Sequence, residues 1–317
     1  MGILIEGRWH DQPPNANGDD GHFVRQASVF RNWVTPHGEP GPTGEGGFAA
    51  EPGRYRLYVS LACPWAHRTL IFRRLKALES MIPLAVTHWR MLENGWTFEP
   101  GPGVQPDDET GIAAMHELYT LANPTQSGRA TVPVLWDRQT GTIVNNESAD
   151  IIRMFNSAFD HVGAAAGDYY PEALRGEIDR LNGRIYDTVN NGVYRAGFAT
   201  TQKAYNEAVA PLFATLDWLE ARLAQQRFLC GDILTEADWR LFTTLLRFDA
   251  VYHGHFKCNL RRLVDYPRLH AYARELYLWP GVAQTVNFQH IKGHYYESHR
   301  NINPSGIVPA GPIPDWE

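Results

Sequence analysis

The stretch RYRLYVSLACPWAHRTLIF, residues 54–72, constrains the fold more than any other part of the chain. Tyr55, Leu57, Val59 and Leu61 alternate with their neighbours, the period of a strand. Pro64 suits the first turn of a helix, where a missing N–H costs nothing. Leu70, Ile71, Leu75 and Leu78 then share one helical face. The sequence therefore predicts a strand that passes into a helix, with Cys63 at the junction. A second cysteine in CxxC spacing would make a dithiol centre, but that slot holds Ala66. Cys63 either packs as a small core residue or works alone as a nucleophile.

Strand and helix signals continue downstream of this junction. IPLAVTHW (82–89) reads as a second strand, and residues 91–130 as a long polar insertion rich in Pro and Gly. TVPVLWD (131–137), a turn at RQTG and TIVNN (142–146) read as a hairpin. NESADIIRMF opens a helix with Ile151, Ile152 and Phe155 inward. The order β-α-β-insert-β-β-α is that of a thioredoxin-like half. After a Gly/Ala-rich link near 163–168 the pattern becomes all helical, with Val209, Leu212, Phe213, Leu216 and Leu223 at helical spacing. Thr235 and Asp238 form a capping box in its Asp form, and Pro280 closes the helix carrying Tyr272 to Leu278. The expected fold is an α/β thioredoxin-like domain over 55–162 and an all-α domain over 163–317 whose tail, from Asn301, is extended. Residues 1–54 read as an N-terminal extension, because TPHGEPGPTGEGGFAAEPG (35–53) is too dense in Gly and Pro for regular structure.

Composition narrows the function classes. The 317 residues suit two domains, and 44% hydrophobic content suffices for real cores. A net charge of −6 gives no electrostatic case for nucleic acid or an anionic membrane as a partner. Cys63, Cys230 and Cys258 are odd in number and widely spaced, which suits a reducing compartment rather than a disulfide framework. MGILIEGRWHDQ lacks the basic and apolar regions of a signal peptide, and Glu6 breaks a myristoylation pattern. No apolar run approaches membrane-spanning length. The chain reads as a soluble cytoplasmic protein.

A thioredoxin-like half followed by a helical half resembles the glutathione transferases, and CPWA after the first strand resembles their cysteine-bearing classes. From about residue 55 to the end, the chain is most similar to the Xi class, the glutathionyl-hydroquinone reductases. CPWAHR (63–68), NNGVYRAGFA (190–199) and HIKGHYYESHRNINPSGIVPAGP (290–312) carry that resemblance, in order and in the right domains.

The chemistry of Cys63 can be argued from elementary principles. A thiol has a pKa near ~8.5, so little of it is thiolate at neutral pH. A helix N-terminus offers unpaired N–H groups and partial positive charge, and both favour the thiolate. A structural role would not explain a cysteine at a strand-to-helix turn before proline. Cys230 and Cys258 sit in helical contexts and read as structural. A cysteine thiolate forms a disulfide with glutathione, which favours removing glutathione from a substrate over adding it. The resemblance implies an S-glutathionyl-hydroquinone substrate, glutathione as co-substrate and no bound cofactor.

Val132-Pro133 matches the cis-proline position of thioredoxin folds, where a backbone edge pairs with an extended peptide. Pro133 could also be an ordinary edge-strand proline. Glu147-Ser148 opens a helix and could take the γ-glutamyl carboxylate and amine, or simply cap. The resemblance adds Trp96 and Arg129 as glutathione contacts. It also assigns Tyr194, Tyr252 and Tyr295 to a hydroquinone pocket, with catalytic and binding roles, and Tyr296 could replace Tyr295. Among 14 tyrosines, any single one could equally be core or surface packing.

His290 and His294 are spaced to share a helical face, with His299 beyond, but no acidic or cysteine ligand completes a zinc signature and no metal is expected. The resemblance implies a homodimer. Two other readings remain: an omega-like thioltransferase or dehydroascorbate reductase, which would lack the HIKGHYYESH segment, and a non-enzymatic binding module of the same fold.

Overall fold

The computed structural model describes residues 2–11, 18, 20–312 and 316. They divide into two compact units. The first contains the N-terminal hairpin, Gln26–Gly167 and Thr285–His294. The second contains residues 20–25, Asp168–Gln284 and the chain from Tyr295 onward. These units cut across the boundaries at 54 and 162 that composition suggests, because the pairings that draw them are distant in sequence.

The first unit is built on a four-stranded sheet in the order β4-β3-β7-β8, with β3 Tyr55–Val59, β4 Leu84–Val86, β7 Val134–Asp137 and β8 Thr142–Asn145. Strands β3 and β4 run parallel, which requires a crossover, and helix α1 (Pro64–Leu75) supplies it. The β3–β7 and β7–β8 pairs are antiparallel. Every side chain of β3 is buried, as expected for a central strand covered on both faces. Asp137 fixes the β7–β8 turn by accepting from Gln139 N–H (3.0 Å) and the Thr140 hydroxyl (2.7 Å). Helix α3 (Ser148–Ser157) buries Ile151, Ile152 and Phe155, as its periodicity predicts.

The sequence under-reads the rest of this unit. Ile3–Ile5 (β1) and Arg8–His10 (β2) form a hairpin whose turn, Glu6-Gly7, has both residues at positive φ. Leu4 exchanges both backbone hydrogen bonds with Gly128 at 2.9 Å. Residues 30–32 lie beside β8: Asn32 N–H donates to Val144 O (3.0 Å) and Asn146 N–H to Phe30 O (3.1 Å). The Gly/Pro stretch forms no strand or helix, as expected, yet residues 26–50 are part of the unit. The 91–130 insertion holds a small hairpin, Met91–Leu92 (β5) with Gly95–Trp96 (β6), and helix α2 (Met115–Ala122). Gln105 exchanges backbone bonds with Val86 and so covers the open edge of β4.

The second unit is helical. Helix α4 (Arg175–Ile185) runs into a wide π turn at Tyr186–Asn190, then α5 (Gly192–Gly197) and the long α6 (Gln202–Leu223). Helix α7 (Glu236–Arg247) is buried on every side and also ends in a π turn, Phe248–Tyr252. The capping box is present at its start, where Asp238 accepts from Thr235 N–H at 2.8 Å. Asn190 joins the two π-turn helices by donating to Thr244 Oγ1 (2.8 Å) and Arg240 O (3.1 Å). Helix α8 (Pro267–Tyr277) begins on proline, and α9 (Phe288–Ser298) follows. The tail beyond Asn301 has no helix or strand among its described residues, and Pro314 lies outside them. Among the described residues, no helix is long and apolar enough to cross a membrane.

Candidate active site

Cys63 is the N-cap of α1. Its backbone is extended (φ −73°, ψ 121°), and Pro64 occupies the first helical position. The turn from β3 is set by Ser60, whose carbonyl accepts from Cys63 N–H at 3.1 Å. The sulfur accepts from Ala66 N–H at 3.5 Å, one of the donors a helix start leaves open. Its own proton points to Val132 O at 3.6 Å. Only 8% of Cys63 is exposed, and no acidic residue lies in the first turn to oppose a thiolate. The Val132–Pro133 peptide is cis, so the cysteine and the expected cis-proline edge meet.

Glu147 caps α3, as Cys63 caps α1. Its carboxylate accepts from Ala149 N–H at 3.1 Å and from the Ser148 hydroxyl at 3.4 Å. Two residues that sequence reasoning did not select complete this corner. Ser28 donates to Glu147 Oε2 at 3.0 Å, and Arg68, buried on α1, donates to Ser148 Oγ at 3.4 Å while covering the Trp65 ring at 4.5 Å. Arg68 lies inside the CPWAHR motif, one turn past the cysteine, which was the available signal. Ser28 had none, because its approach depends on the pairing of residues 30–32 with β8. Trp96 is buried on β6 and stacks on His294 at 4.6 Å. Arg129 is half-buried, next to the Gly128 that pairs with Leu4.

The histidines are occupied by protein groups. His290 bonds Pro102 O at 2.7 Å, His294 bonds Trp89 O at 2.9 Å, and His299 meets His255 at 3.1 Å. Among the described residues, no three His, Cys, Asp or Glu side chains are grouped to hold a metal.

In the second unit, three tyrosine hydroxyls form a chain. Tyr295 O–H lies 2.6 Å from Tyr194 O–H and 2.9 Å from Tyr252 O–H. Burial pushes the Tyr252 and Tyr295 phenols well above their ordinary range, so both remain donors. The buried Arg247 opposes that shift in each. Tyr296 takes another direction: its hydroxyl faces Ala250 O at 3.4 Å, and its ring packs on His255. Gly197, inside NNGVYRAGFA, lets the Phe256 ring approach the cluster, since a Cβ there would lie 2.2 Å from that ring. Cys258 is fully buried and burial pushes its thiol up, and burial does the same to the half-buried Cys230.

A cysteine capping the first helix of a thioredoxin-like sheet is the cysteine-bearing version of the glutathione transferase plan. The glutathione S-transferase N-terminal domain family matches residues 62–158, and the C-terminal domain family matches 202–275. The glutathionyl-hydroquinone reductase YqjG of Escherichia coli (strain K12) is 59% identical, over 100% of this chain and 97% of its own. The glutathione-bound structure of YqjG superposes with a TM-score of 0.93 at 57% identity, covering 99% of this chain and 97% of that one. The glutathione transferase Xi of Phanerochaete chrysosporium gives 0.89 at 54% identity, covering 94% and 95%. The chain belongs to the glutathione transferase family, in its Xi class of glutathionyl-hydroquinone reductases.

Proposed function

We propose that this protein reduces S-glutathionyl-hydroquinones to hydroquinones with glutathione as the reductant, through a mixed disulfide on Cys63. The observation that carries the reading is the placement of the Cys63 sulfur on Ala66 N–H at the start of α1. The thiolate attacks the glutathionyl sulfur. A Cys63–glutathione disulfide forms, the carbon–sulfur bond breaks, and the aromatic carbon leaves with the electron pair and takes a proton. A second glutathione then attacks the mixed disulfide, releasing glutathione disulfide and restoring the thiolate. Two sulfurs are oxidised to a disulfide and one carbon is reduced, so the electrons balance. The kinetics are ping-pong.

The remaining assignments follow the chemistry of each group. Val132, beside the cis proline, offers a backbone edge to an extended peptide. The start of α3, with Glu147 and Ser148, suits the γ-glutamyl end. Trp96 and Arg129 are carried over as glutathione contacts. Tyr194, Tyr252 and Tyr295 hold the hydroquinone oxygens and protonate the leaving carbon. The protein acts as a homodimer, the commonest closed assembly. Three cysteines without a disulfide among the described residues suit a cytoplasmic setting.

The test is turnover of a purified glutathionyl-hydroquinone, with products separated by chromatography. Wild type should yield hydroquinone and glutathione disulfide in equal amounts, and Cys63→Ser should yield neither. Substantial hydroquinone from Cys63→Ser would overturn the mechanism.

A further inference from the structure

Residues 20–25 lie on the helices of the second unit. Thr200 N–H donates to Gly21 O at 3.1 Å, Thr201 donates its hydroxyl proton to Asp20 O at 3.1 Å, and the His22 ring bonds Glu207 at 2.8 Å. Gly21 has φ +84°, and a Cβ there would press on both threonines, so only glycine fits this approach. Phe23 packs on Phe198 at 5.3 Å, and Phe198 stacks on Tyr194. The segment ends at Arg25. Its Nε donates to Asn191 Oδ1 at 2.8 Å, and its guanidinium carbon sits 4.8 Å from the centre of the Tyr194 ring.

We propose that Arg25 is a positioning residue for hydroquinone release, which acts by holding a positive charge over Tyr194 and so makes Tyr194 the proton-donating end of the tyrosine chain. This rests on the proposed glutathionyl-hydroquinone activity. When Tyr194 gives its proton to the leaving carbon, negative charge develops on its phenol oxygen. A cation over the ring stabilises that charge. Tyr295 is placed to donate to the Tyr194 oxygen, and Tyr252 to donate to Tyr295, so the chain supports the charge from the other side. The thiol proton released by the second glutathione returns to Tyr194, and the cycle closes without another reactant. Asn191 fixes the guanidinium through the nitrogen nearest its stem, leaving the planar end over the ring.

The experiment compares wild type, Arg25→Met, Arg25→Lys and Tyr194→Phe, alone and combined, on two substrates. One is a glutathionyl-hydroquinone, whose release needs a proton on carbon. The other is a small glutathione mixed disulfide, which does not. Arg25→Met should slow hydroquinone release roughly three- to thirtyfold, the size of a partly desolvated cation–π contact, and leave disulfide exchange unchanged. Arg25→Lys should recover much of the loss. In the Tyr194→Phe background, Arg25→Met should have no further effect. The alkaline limb of hydroquinone release should move to higher pH in Arg25→Met, which a purely structural defect would not produce. Equal losses on both substrates, full additivity with Tyr194→Phe, or an unmoved alkaline limb would overturn the proposal. If wild type itself releases no hydroquinone, the underlying reading fails and this proposal with it. If wild type does and Arg25→Met matches it, only the Arg25 proposal fails.

Discussion

Tyr295→Phe removes one oxygen and breaks two contacts at once. Tyr295 stands in the middle of the hydroxyl chain, 1% exposed, with Tyr194 at 2.6 Å and Tyr252 at 2.9 Å. Tyr252 is fully buried, and after Tyr295→Phe it keeps, among the described residues, only the Tyr194 hydroxyl as a neighbour. Tyr194→Phe leaves the Tyr252–Tyr295 contact whole but takes an acceptor from the buried Tyr295 hydroxyl. Leaving a buried hydroxyl short of a partner costs about 1–3 kcal/mol. Stability should therefore fall by about that amount in both variants in urea melts. Hydroquinone release should slow in both, by roughly ten- to a hundredfold, the worth of one hydrogen bond to developing charge. Exchange with a small glutathione mixed disulfide should be nearly untouched, because no carbon is protonated there. The two assays use the same protein, so a general folding defect shows as equal losses. Equal losses on the two substrates, or no loss of stability in either variant, would refute the chain as described.

Four further outcomes are expected. Glutathione disulfide should place one glutathione on the Cys63 peptide, found by digestion and mass measurement without reductant; labelling mainly at Cys258 or Cys230 would contradict the burial that pushes both thiols up. Arg31→Ala should lower stability by about 1 kcal/mol in denaturant, because its paired contacts to Asp150 (2.5 and 3.0 Å) are partly exposed and screened, and no loss would mean residues 26–34 dock without them. The His22 ring lies between Asp20 and Glu207, and hydrogen bonding to Glu207 above all raises its pKa from the ordinary 6.5, so its contribution to holding residues 20–25 is complete below 6.5 and lost as pH rises through the higher folded value; an NMR titration midpoint at or below 6.5 would refute it. Light scattering at micromolar concentration should give the mass of two chains, and a monomer would rule out the dimer.

Legibility in the sequence followed the range of the interactions. Strand β3, helix α1, the β7–β8 hairpin and helix α3 are written in local periodicity and turn chemistry, and they appear where that pattern puts them. Strands β5 and β6 have two residues each, too short for any alternation to register. Helix α2 did have a signal, Met115, Leu118 and Tyr119 at helical spacing, but it is eight residues long inside a polar stretch. The π turns are set by packing: Asn190 reaches across to Arg240 and Thr244, and no local pattern announces that. The choice between Tyr295 and Tyr296 depends on the phase of α9, where one residue turns a hydroxyl by about 100°. Residue 295 meets two hydroxyls and residue 296 meets a carbonyl.

The first fifty residues show why composition misleads here. A Gly/Pro-rich stretch cannot form a helix, but a backbone without regular structure still has hydrogen bonds to satisfy. Residues 30–32 satisfy theirs on β8, and that placement brings Ser28 to the carboxylate capping α3. The Asp20 and Gly21 carbonyls accept from Thr201 and Thr200, and four residues after Gly21 Arg25 lies over Tyr194. The stretch from Gln26 reaches Glu147 in the first unit, and residues 20–25 reach the tyrosine chain in the second, each by backbone pairing that delivers a side chain. Deleting both would remove a donor to Glu147 and a cation from Tyr194 together, whereas Ser28→Ala and Arg25→Met separate them. If the first alters only glutathione affinity and the second only hydroquinone release, each stretch acts on its own unit through the side chain its backbone pairing delivers; a loss of both in either single variant would refute that separation.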